Sequence, residues 1–168
     1  MKLNELSPSE VFSYFEKICS IPHGSGNTGM IADYCLEFAK LHGLKARKDA
    51  ADNVVIFKAG TSGYEDCESV ILQGHLDMVC EKEPDCDIDM SVQSIKACTD
   101  GKMVWADGTT LGADDGIAIA FILAVLASDT IAHPPIQAVL TSDEEIGMLG
   151  ARDLDTSDPV SYTHLTLP

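Results

Sequence analysis

Apolar residues recur at helical spacing in two segments near the start of the sequence. The first segment predicts a helix whose apolar face consists of Val11, Phe12, Phe15 and Ile18. We expect it to start at Ser7 as the cap, with Pro8 in the first turn, and to end before Pro22. The second segment ends at Gly43 and predicts a face of Ile31, Tyr34, Cys35, Phe38 and Leu41. Both helices are expected to pack on a sheet.

Three short apolar runs are typical of buried strands, and they cover residues 53–58, 70–73 and 136–141. The turn-rich residues 60–63 predict that the first two strands form a hairpin or meander. Residues 117–126 are almost wholly apolar and predict a buried helix between the second and third strands. This strand, helix, strand alternation indicates an α/β sandwich.

Composition and charge then restrict the function. A chain of 168 residues that is 45% hydrophobic and 23% charged is typical of a soluble globular protein. The formal net charge of −16 disfavours nucleic acid as a partner, because phosphate binding requires clustered Lys and Arg. The sequence contains neither an apolar run long enough to span a membrane nor an export signal. We therefore expect no membrane partner and a cytoplasmic location.

His75 and Asp77 directly follow the second predicted strand. If the extended conformation continues, their side chains project to the same side. A neutral imidazole can bind a metal through one nitrogen while a nearby carboxylate accepts the proton of the other nitrogen. The alternative interpretation of this pair is an ordinary surface turn.

Asp114 and Asp115 lie between glycines, ahead of the predicted apolar helix. Glycines permit close approach to an ion, and a carboxylate placed there can bridge two cations and reduce their mutual repulsion. The alternative is a solvated acidic pair that starts the helix.

Asp143, Glu144 and Glu145 follow the third predicted strand. Adjacent glutamates at the end of a strand point in different directions. One carboxylate can therefore bind a metal while its neighbour accepts a proton from a metal-bound water. The alternative is an acidic surface patch.

These three motifs share a position, because each lies where a predicted strand ends or a predicted helix begins, and α/β proteins gather their ligands there. We therefore predict a metal site. Residues 24–29 match a G-x-G-x-x-G dinucleotide pattern, but they follow a helix rather than a strand, so we set that function aside. Ser25 is then free to face the active cleft. Histidines that lack a comparable pattern are expected at the surface or in packing, and these are His23, His42, His133 and His164.

Together, Gln73–Val79, Thr110–Gly116 and Leu140–Met148 resemble the aminoacylase and carboxypeptidase family of di-zinc exopeptidases, in order and in separation. The chain is most similar to the aminoacyl-histidine dipeptidase branch, which Ile21–Asn27 also resembles, and the similarity covers residues 5–155. It implies a three-layer α/β sandwich and hydrolysis of short peptides, with aminoacyl-histidine dipeptides as substrates. The resemblance also implies two Zn²⁺ ions, for which Co²⁺ or Mn²⁺ can substitute. For the full-length parent it implies a homodimer.

The resemblance also implies a role for each of five residues. His75 would bind one zinc, Glu145 the other, and Asp114 would bridge them. Asp77 would orient His75, and Glu144 would be the general base for attack of a zinc-activated water on the peptide carbonyl. The peptide bond after the bridging aspartate would be cis.

Parts of the family pattern have no counterpart in this sequence: a further metal-binding carboxylate, a distant histidine ligand and an inserted lid or dimerisation domain. We expect residues 1–157 to be the N-terminal part of a catalytic domain. Residues 158–168 depart from the family and are interpreted as a non-native tail. Because two of the family's metal ligands have no counterpart, this chain alone should be inactive. The alternative functions are an amino-acid deacylase of the same family and a catalytically silent acidic binding or oligomerisation module.

Overall fold

The computed structural model describes residues 2–156. Its helices are a 3-10 turn at Leu3–Glu5, α1 (Ser9–Cys19), α2 (Gly29–Leu41), α3 (Ala113–Ala127) and α4 (Leu149–Asp153). Its strands are β1 (Lys45–Lys48), β2 (Val54–Lys58), β3 (Val70–His75), β4 (Ala97–Thr99), β5 (Val104–Ala106) and β6 (Ile136–Thr141). The predicted tail, 158–168, and His164 lie outside the described residues. Every helix within residues 2–156 is too short or too polar to cross a membrane.

A mixed sheet in the order β1-β2-β6-β3 organises the described residues, and β4 pairs with β5 in a separate small sheet. Strands β3 and β6 are parallel, whereas β2 is antiparallel to both β1 and β6. The predicted hairpin between residues 53–58 and 70–73 is therefore wrong, because β6 lies between these two strands. Helix α3 lies in the connection from β3 to β6, as a parallel pair requires.

One hydrophobic core joins the sheet to α1, α2 and α3. Alternate residues of the strands contribute to it, and these include Val54, Ile56, Ala138 and Leu140. In α3, Ile119 and Leu123 are fully buried, which explains why this helix is apolar on nearly every side. The predicted α/β fold is confirmed by this packing of helices on a mixed sheet.

The ends of the first two helices differ in detail from the prediction. Pro8 is extended, with ψ at 129°, so α1 begins at Ser9 and the predicted cap at Ser7 is wrong. The predicted end before Pro22 is confirmed, because α1 stops at Cys19. Leu41 ends α2 but is 77% exposed, since the last turn of this helix extends beyond the core.

The parallel pair β3–β6 determines where the acidic motifs meet. His75 ends β3 and lies opposite Thr141, the last residue of β6. The pairing continues one step further, since the Leu76 N–H donates to the Thr141 carbonyl at 2.7 Å. The residues that follow the two strands therefore emerge side by side, and α3 packs against β3.

Candidate metal centre

Three donor atoms, one each from His75, Asp114 and Glu145, lie within 4.8 Å of one another. His75 is only 8% exposed, whereas both carboxylates are exposed. His75 Nε2 lies 3.1 Å from Asp114 Oδ1. The structure thus brings together, from three separate segments, the three residues that the sequence singled out as metal ligands.

This donor set fits a divalent metal of the zinc type. Imidazole nitrogen and carboxylate oxygen are both zinc ligands, at about 2.0–2.2 Å from the ion, which separates donors on one ion by roughly 3.4 Å. A spread of 4.8 Å closes to that separation by small rotations of the two exposed carboxylates. An ordinary solvated acidic patch has no need of a buried imidazole at its base.

Asp77 lies behind His75 and is 1% exposed. His75 Nδ1 is 3.0 Å from the Asp77 backbone carbonyl oxygen and 3.4 Å from Asp77 Oδ1. Both of these oxygens can accept a hydrogen bond from Nδ1, so when a cation occupies the side facing Asp114 the ring can keep its proton on Nδ1 and offer the Nε2 lone pair. The ring is thereby oriented for a ligand at Nε2.

The Asp77 carboxylate also holds the loop that follows β6. Oδ1 accepts the Glu144 backbone N–H at 2.8 Å, and Oδ2 accepts the Glu145 backbone N–H at 3.2 Å. Oδ2 accepts the Ser25 hydroxyl as well, at 2.7 Å. Sequence reasoning missed this anchoring role, because backbone donors leave no signal in the residue types.

Glu144 and Glu145 point to different places, in keeping with their adjacent positions. Glu145 contributes to the three-donor cluster, whereas Glu144 Oε2 lies 4.0 Å from His75 Nε2. The Glu144 side chain is partly exposed and borders the cluster without being one of its donors. Asp143 turns away, and its Oδ1 accepts the Gly26 N–H at 2.7 Å.

Asp115 fixes α3 to the end of β3. Its Oδ2 accepts the His75 backbone N–H at 3.2 Å, and burial raises the pKa of this carboxyl group although the hydrogen bond opposes the shift. A Cβ at Gly74 would lie 2.9 Å from Asp115 Oδ2 and 3.0 Å from Ile119 Cδ1, so a larger residue there would push against both side chains. The peptide bond from Asp114 to Asp115 is cis, as the family resemblance implies.

The surroundings of His75 favour positive charge. Burial lowers the pKa of His75, but hydrogen bonds to Asp114 and to the Asp77 carbonyl, with the charges of Asp115 and Asp77, raise this pKa above its ordinary value. A proton and a metal ion would therefore compete for Nε2.

Two other histidines are buried and are not among the three donors of this cluster. His23 Nδ1 lies 2.6 Å from the Ile21 carbonyl oxygen, and His133 Nδ1 lies 2.8 Å from the Pro134 carbonyl oxygen. His42 is exposed and packs on the Phe38 ring at 4.4 Å between centroids.

A cavity of about 380 Å³ opens beside Glu145. Its walls combine apolar, hydroxyl and carboxylate groups, including those of Ser25, Met78, Glu81, Met90 and Ile146. A small molecule in this cavity would lie next to the donor cluster and could present a polar group to it.

A carboxylate-rich cluster on a buried histidine, at the carboxyl ends of parallel strands of an α/β fold, is an arrangement that can hold a divalent cation. The chain is 44% identical to the cytosol non-specific dipeptidase of Escherichia coli strain K12 over 150 residues, which cover 89% of this chain and 31% of that relative. No family model matches the chain.

Solved structures agree with this similarity. Aminoacylhistidine dipeptidase from Vibrio alginolyticus superposes with a TM-score of 0.90 at 45% identity, covering 94% of this chain and 32% of the other. A tripeptidase from Staphylococcus aureus superposes with a TM-score of 0.73 at 26% identity, covering 90% and 40%. The chain thus spans about a third of the length of the dipeptidases it matches. The predicted resemblance to the dipeptidase branch is confirmed.

Proposed function

We propose that this chain supplies the metal-binding part of the active site of a metal-dependent dipeptidase. The observation that supports this most strongly is the buried His75, whose Nε2 faces carboxylates from two other segments. The 44% identity to a dipeptidase supports peptide-bond hydrolysis as the reaction of the full-length protein.

In this proposal His75 and Glu145 would each hold one of two zinc ions, and Asp114 would be a ligand common to both. Asp77 orients His75 through Nδ1 and fixes the backbone of Glu145 by accepting its N–H. The exposed Asp114 side chain, 86% accessible, is free to present one oxygen to each ion. Zinc is favoured by the mixed imidazole and carboxylate donors, and Co²⁺ or Mn²⁺ can replace it.

Glu144 is the proposed general base. Its carboxylate borders the cluster without belonging to it, so it can accept a proton from water and return it to the leaving amine. A divalent metal bound at this site supplies Lewis acidity and makes water more acidic. Asp77 keeps Glu144 in place through the 2.8 Å hydrogen bond from the Glu144 N–H.

The substrates proposed for the full-length protein are short peptides, with aminoacyl-histidine dipeptides as the preferred class. The name of the Vibrio alginolyticus relative supports this choice. The cavity beside Glu145 supports it too, because its carboxylates suit a free amino group and its methionines suit a side chain. The cytosolic relative supports a cytoplasmic location, and a homodimer is proposed for the full-length protein.

We further propose that residues 1–157 form part of one catalytic domain, that residues 158–168 are non-native, and that the chain alone binds metal without turnover. Three protein donors converge within the described residues, and catalytic zinc sites need an ordered ligand set with one open position. The much greater length of the relatives leaves ample chain for further ligands.

Zinc titration by calorimetry tests the metal site on this chain. As a control we choose Asp66→Ala, because Asp66 is an exposed loop residue outside the cluster. We expect this variant and the unmodified chain to bind zinc with the same affinity. Asp114→Ala should weaken binding at least about tenfold, since one of the cluster's donors is lost. Equal zinc uptake by all three proteins, or none by any, would contradict the proposal and favour a silent acidic module.

Hydrolysis of aminoacyl-histidine and of acylated amino acids by the full-length protein tests the reaction. Glu144→Gln should lower kcat by about 10²- to 10⁴-fold while zinc content stays unchanged, because the base is lost and the ligands remain. Faster cleavage of acylated amino acids than of dipeptides would instead identify a deacylase.

A further inference from the structure

The loop between α1 and α2 packs along the segment that follows His75. Gly24 forms a parallel β-bridge with Met78, and the Met78 N–H donates to the His23 carbonyl at 3.1 Å. The Ser25 N–H donates to the Met78 carbonyl at 3.3 Å. A Cβ at Gly24 would meet Cys80 Sγ at 2.6 Å, so a larger residue here would displace the Cys80 side chain. The loop acts as a short additional strand beside the metal-binding segment.

This approach places the Ser25 hydroxyl on the Asp77 carboxylate. The Ser25 Oγ to Asp77 Oδ2 distance of 2.7 Å is shorter than the 3.2 Å hydrogen bond from the Glu145 N–H to the same oxygen. Asp77 is almost completely buried, so each hydrogen bond to its carboxylate has to come from the protein. Ser25 donates through a side-chain hydroxyl, whereas Glu144 and Glu145 donate through backbone N–H groups.

A second hydrogen bond ties the same loop to the other metal-binding segment. The Gly26 N–H donates to Asp143 Oδ1 at 2.7 Å, one residue before Glu144. The loop therefore contacts the segment that follows β3, at Asp77, and the segment that follows β6, at Asp143. It is held at both places by short hydrogen bonds to carboxylates.

We propose that Ser25 is a positioning residue of the metal centre, which acts through Asp77 to set the orientation of the His75 ring and of the Glu145 backbone. This inference builds on the metal site proposed above. The hydroxyl holds Oδ2 in place, and Oδ1 is thereby kept toward His75 Nδ1, 3.4 Å away. Without the Ser25 hydroxyl, rotation of the Asp77 carboxylate is less restrained.

The first test is zinc affinity, measured by calorimetry. Ser25→Ala should weaken zinc binding about tenfold, the lower end of the effect seen for residues that support metal ligands. Ser25→Thr, which retains the hydroxyl, should restore affinity to within about threefold. The matched control is Ser13→Ala, because the Ser13 hydroxyl donates only to the Ser9 carbonyl on the exposed side of α1. Zinc affinity of Ser25→Ala equal to that of Ser13→Ala would overturn the proposal.

A double-mutant cycle tests the route through Asp77. If Ser25 acts only through this carboxylate, adding Ser25→Ala to Asp77→Asn should weaken zinc binding no further than Asp77→Asn alone. Independent, additive losses would show that Ser25 contributes by another path and would contradict the inference.

A metal-free measurement separates this inference from the proposed function. Nitrogen-15 NMR of the His75 ring, recorded above the pH at which titration shows the ring to be neutral, reports which nitrogen carries the proton. We expect the Nδ1–H form in the unmodified chain and a mixture of both forms in Ser25→Ala. If the unmodified chain takes up no zinc, the proposed function fails, yet this spectrum still decides the role of Ser25. Identical ring spectra in the two proteins would refute it.

Discussion

The Asp77 carboxylate accepts hydrogen bonds from three groups, although Asp77 is only 1% exposed. Burial of a carboxylate costs folding free energy unless hydrogen bonds compensate for the lost water. Here each hydrogen-bond partner belongs to a segment of the proposed active site. The same side chain therefore contributes to folding and to metal binding. Its position explains how a loop as short as Asp143–Glu145 keeps two carboxylates pointing in different directions.

Asp77→Asn tests this double role. The asparagine NH2 group would face N–H or O–H donors, so at least one hydrogen bond is lost and one donor is left unpaired. We expect zinc affinity to fall about 10- to 100-fold and the metal-free free energy of unfolding to fall by about 1–3 kcal/mol. Zinc calorimetry and urea unfolding measure the two effects. The control is Asp85→Asn on the exposed surface, and a loss of stability with unchanged zinc affinity would contradict the role in metal binding.

The loop after β6 is held at both ends by the residue that precedes β2. Asn53 Oδ1 accepts the Ser142 N–H at 2.9 Å, and Asn53 Nδ2 donates to the Gly150 carbonyl at 2.9 Å. Asn53 is 1% exposed, so these groups depend on the side chain for their partners. Through it, β2 and the start of α4 together frame the loop with Glu144 and Glu145.

Asn53→Ala should therefore destabilise the fold by about 1–3 kcal/mol, because the Ser142 N–H and the Gly150 carbonyl lose a buried partner. The matched control is Asn27→Ala, whose side chain donates to the Ser91 carbonyl near the surface and should cost about 0.5 kcal/mol or less. Urea unfolding of the metal-free proteins gives both values. Equal losses in the two variants would show that Asn53 does not anchor this loop.

The whole molecule shows what local patterns can predict and what they cannot. The apolar runs at 117–126 and 136–141 located α3 and β6 because burial on nearly all sides leaves a local signal. Strand β1, with the sequence Lys-Ala-Arg-Lys, has no apolar alternation, since it lies at the edge of the sheet. The insertion of β6 between β2 and β3 also escaped prediction, because pairing of distant strands is not encoded in either strand alone.

The candidate site divides in the same way. Its donor residues stood out because histidine and carboxylates are chemically distinctive and follow apolar strands. The groups that hold them in place were harder to predict. Ser25 was expected only to face the cleft, and its bond to Asp77, like the contacts of Asn53 and Gly74, is revealed by the folded chain. The chemistry of this site was readable from the sequence, whereas its supports were not.

Global stability should depend on pH through His23. Burial lowers the pKa of His23, although a hydrogen bond to the Ile21 carbonyl and the charge of Asp77 oppose the shift. In the unfolded chain the His23 ring takes up a proton near pH 6.5. The contribution of neutral, buried His23 to the free energy of unfolding is therefore present above that pH and is lost as the pH falls below it. His75 has the opposite sign in the metal-free chain, because its raised pKa stabilises the fold when the ring is protonated.

We expect His23→Asn, which keeps a donor near the Nδ1 position, to reduce the fall in unfolding free energy between about pH 7 and pH 5. Urea unfolding at a series of pH values, with the unmodified chain alongside, measures this difference. Parallel pH profiles for the two proteins would show that His23 does not contribute to acid sensitivity.

Convergence of His75, Asp114 and Glu145 on one metal centre is tested most directly by anomalous X-ray scattering from zinc in crystals of this chain. We predict an anomalous peak about 2.0–2.2 Å from His75 Nε2 and a carboxylate oxygen of Asp114, and a peak at a similar distance from oxygens of Asp114 and Glu145 where the second ion binds. Crystals soaked in zinc that show peaks only at other residues, and none at this cluster, would contradict the account.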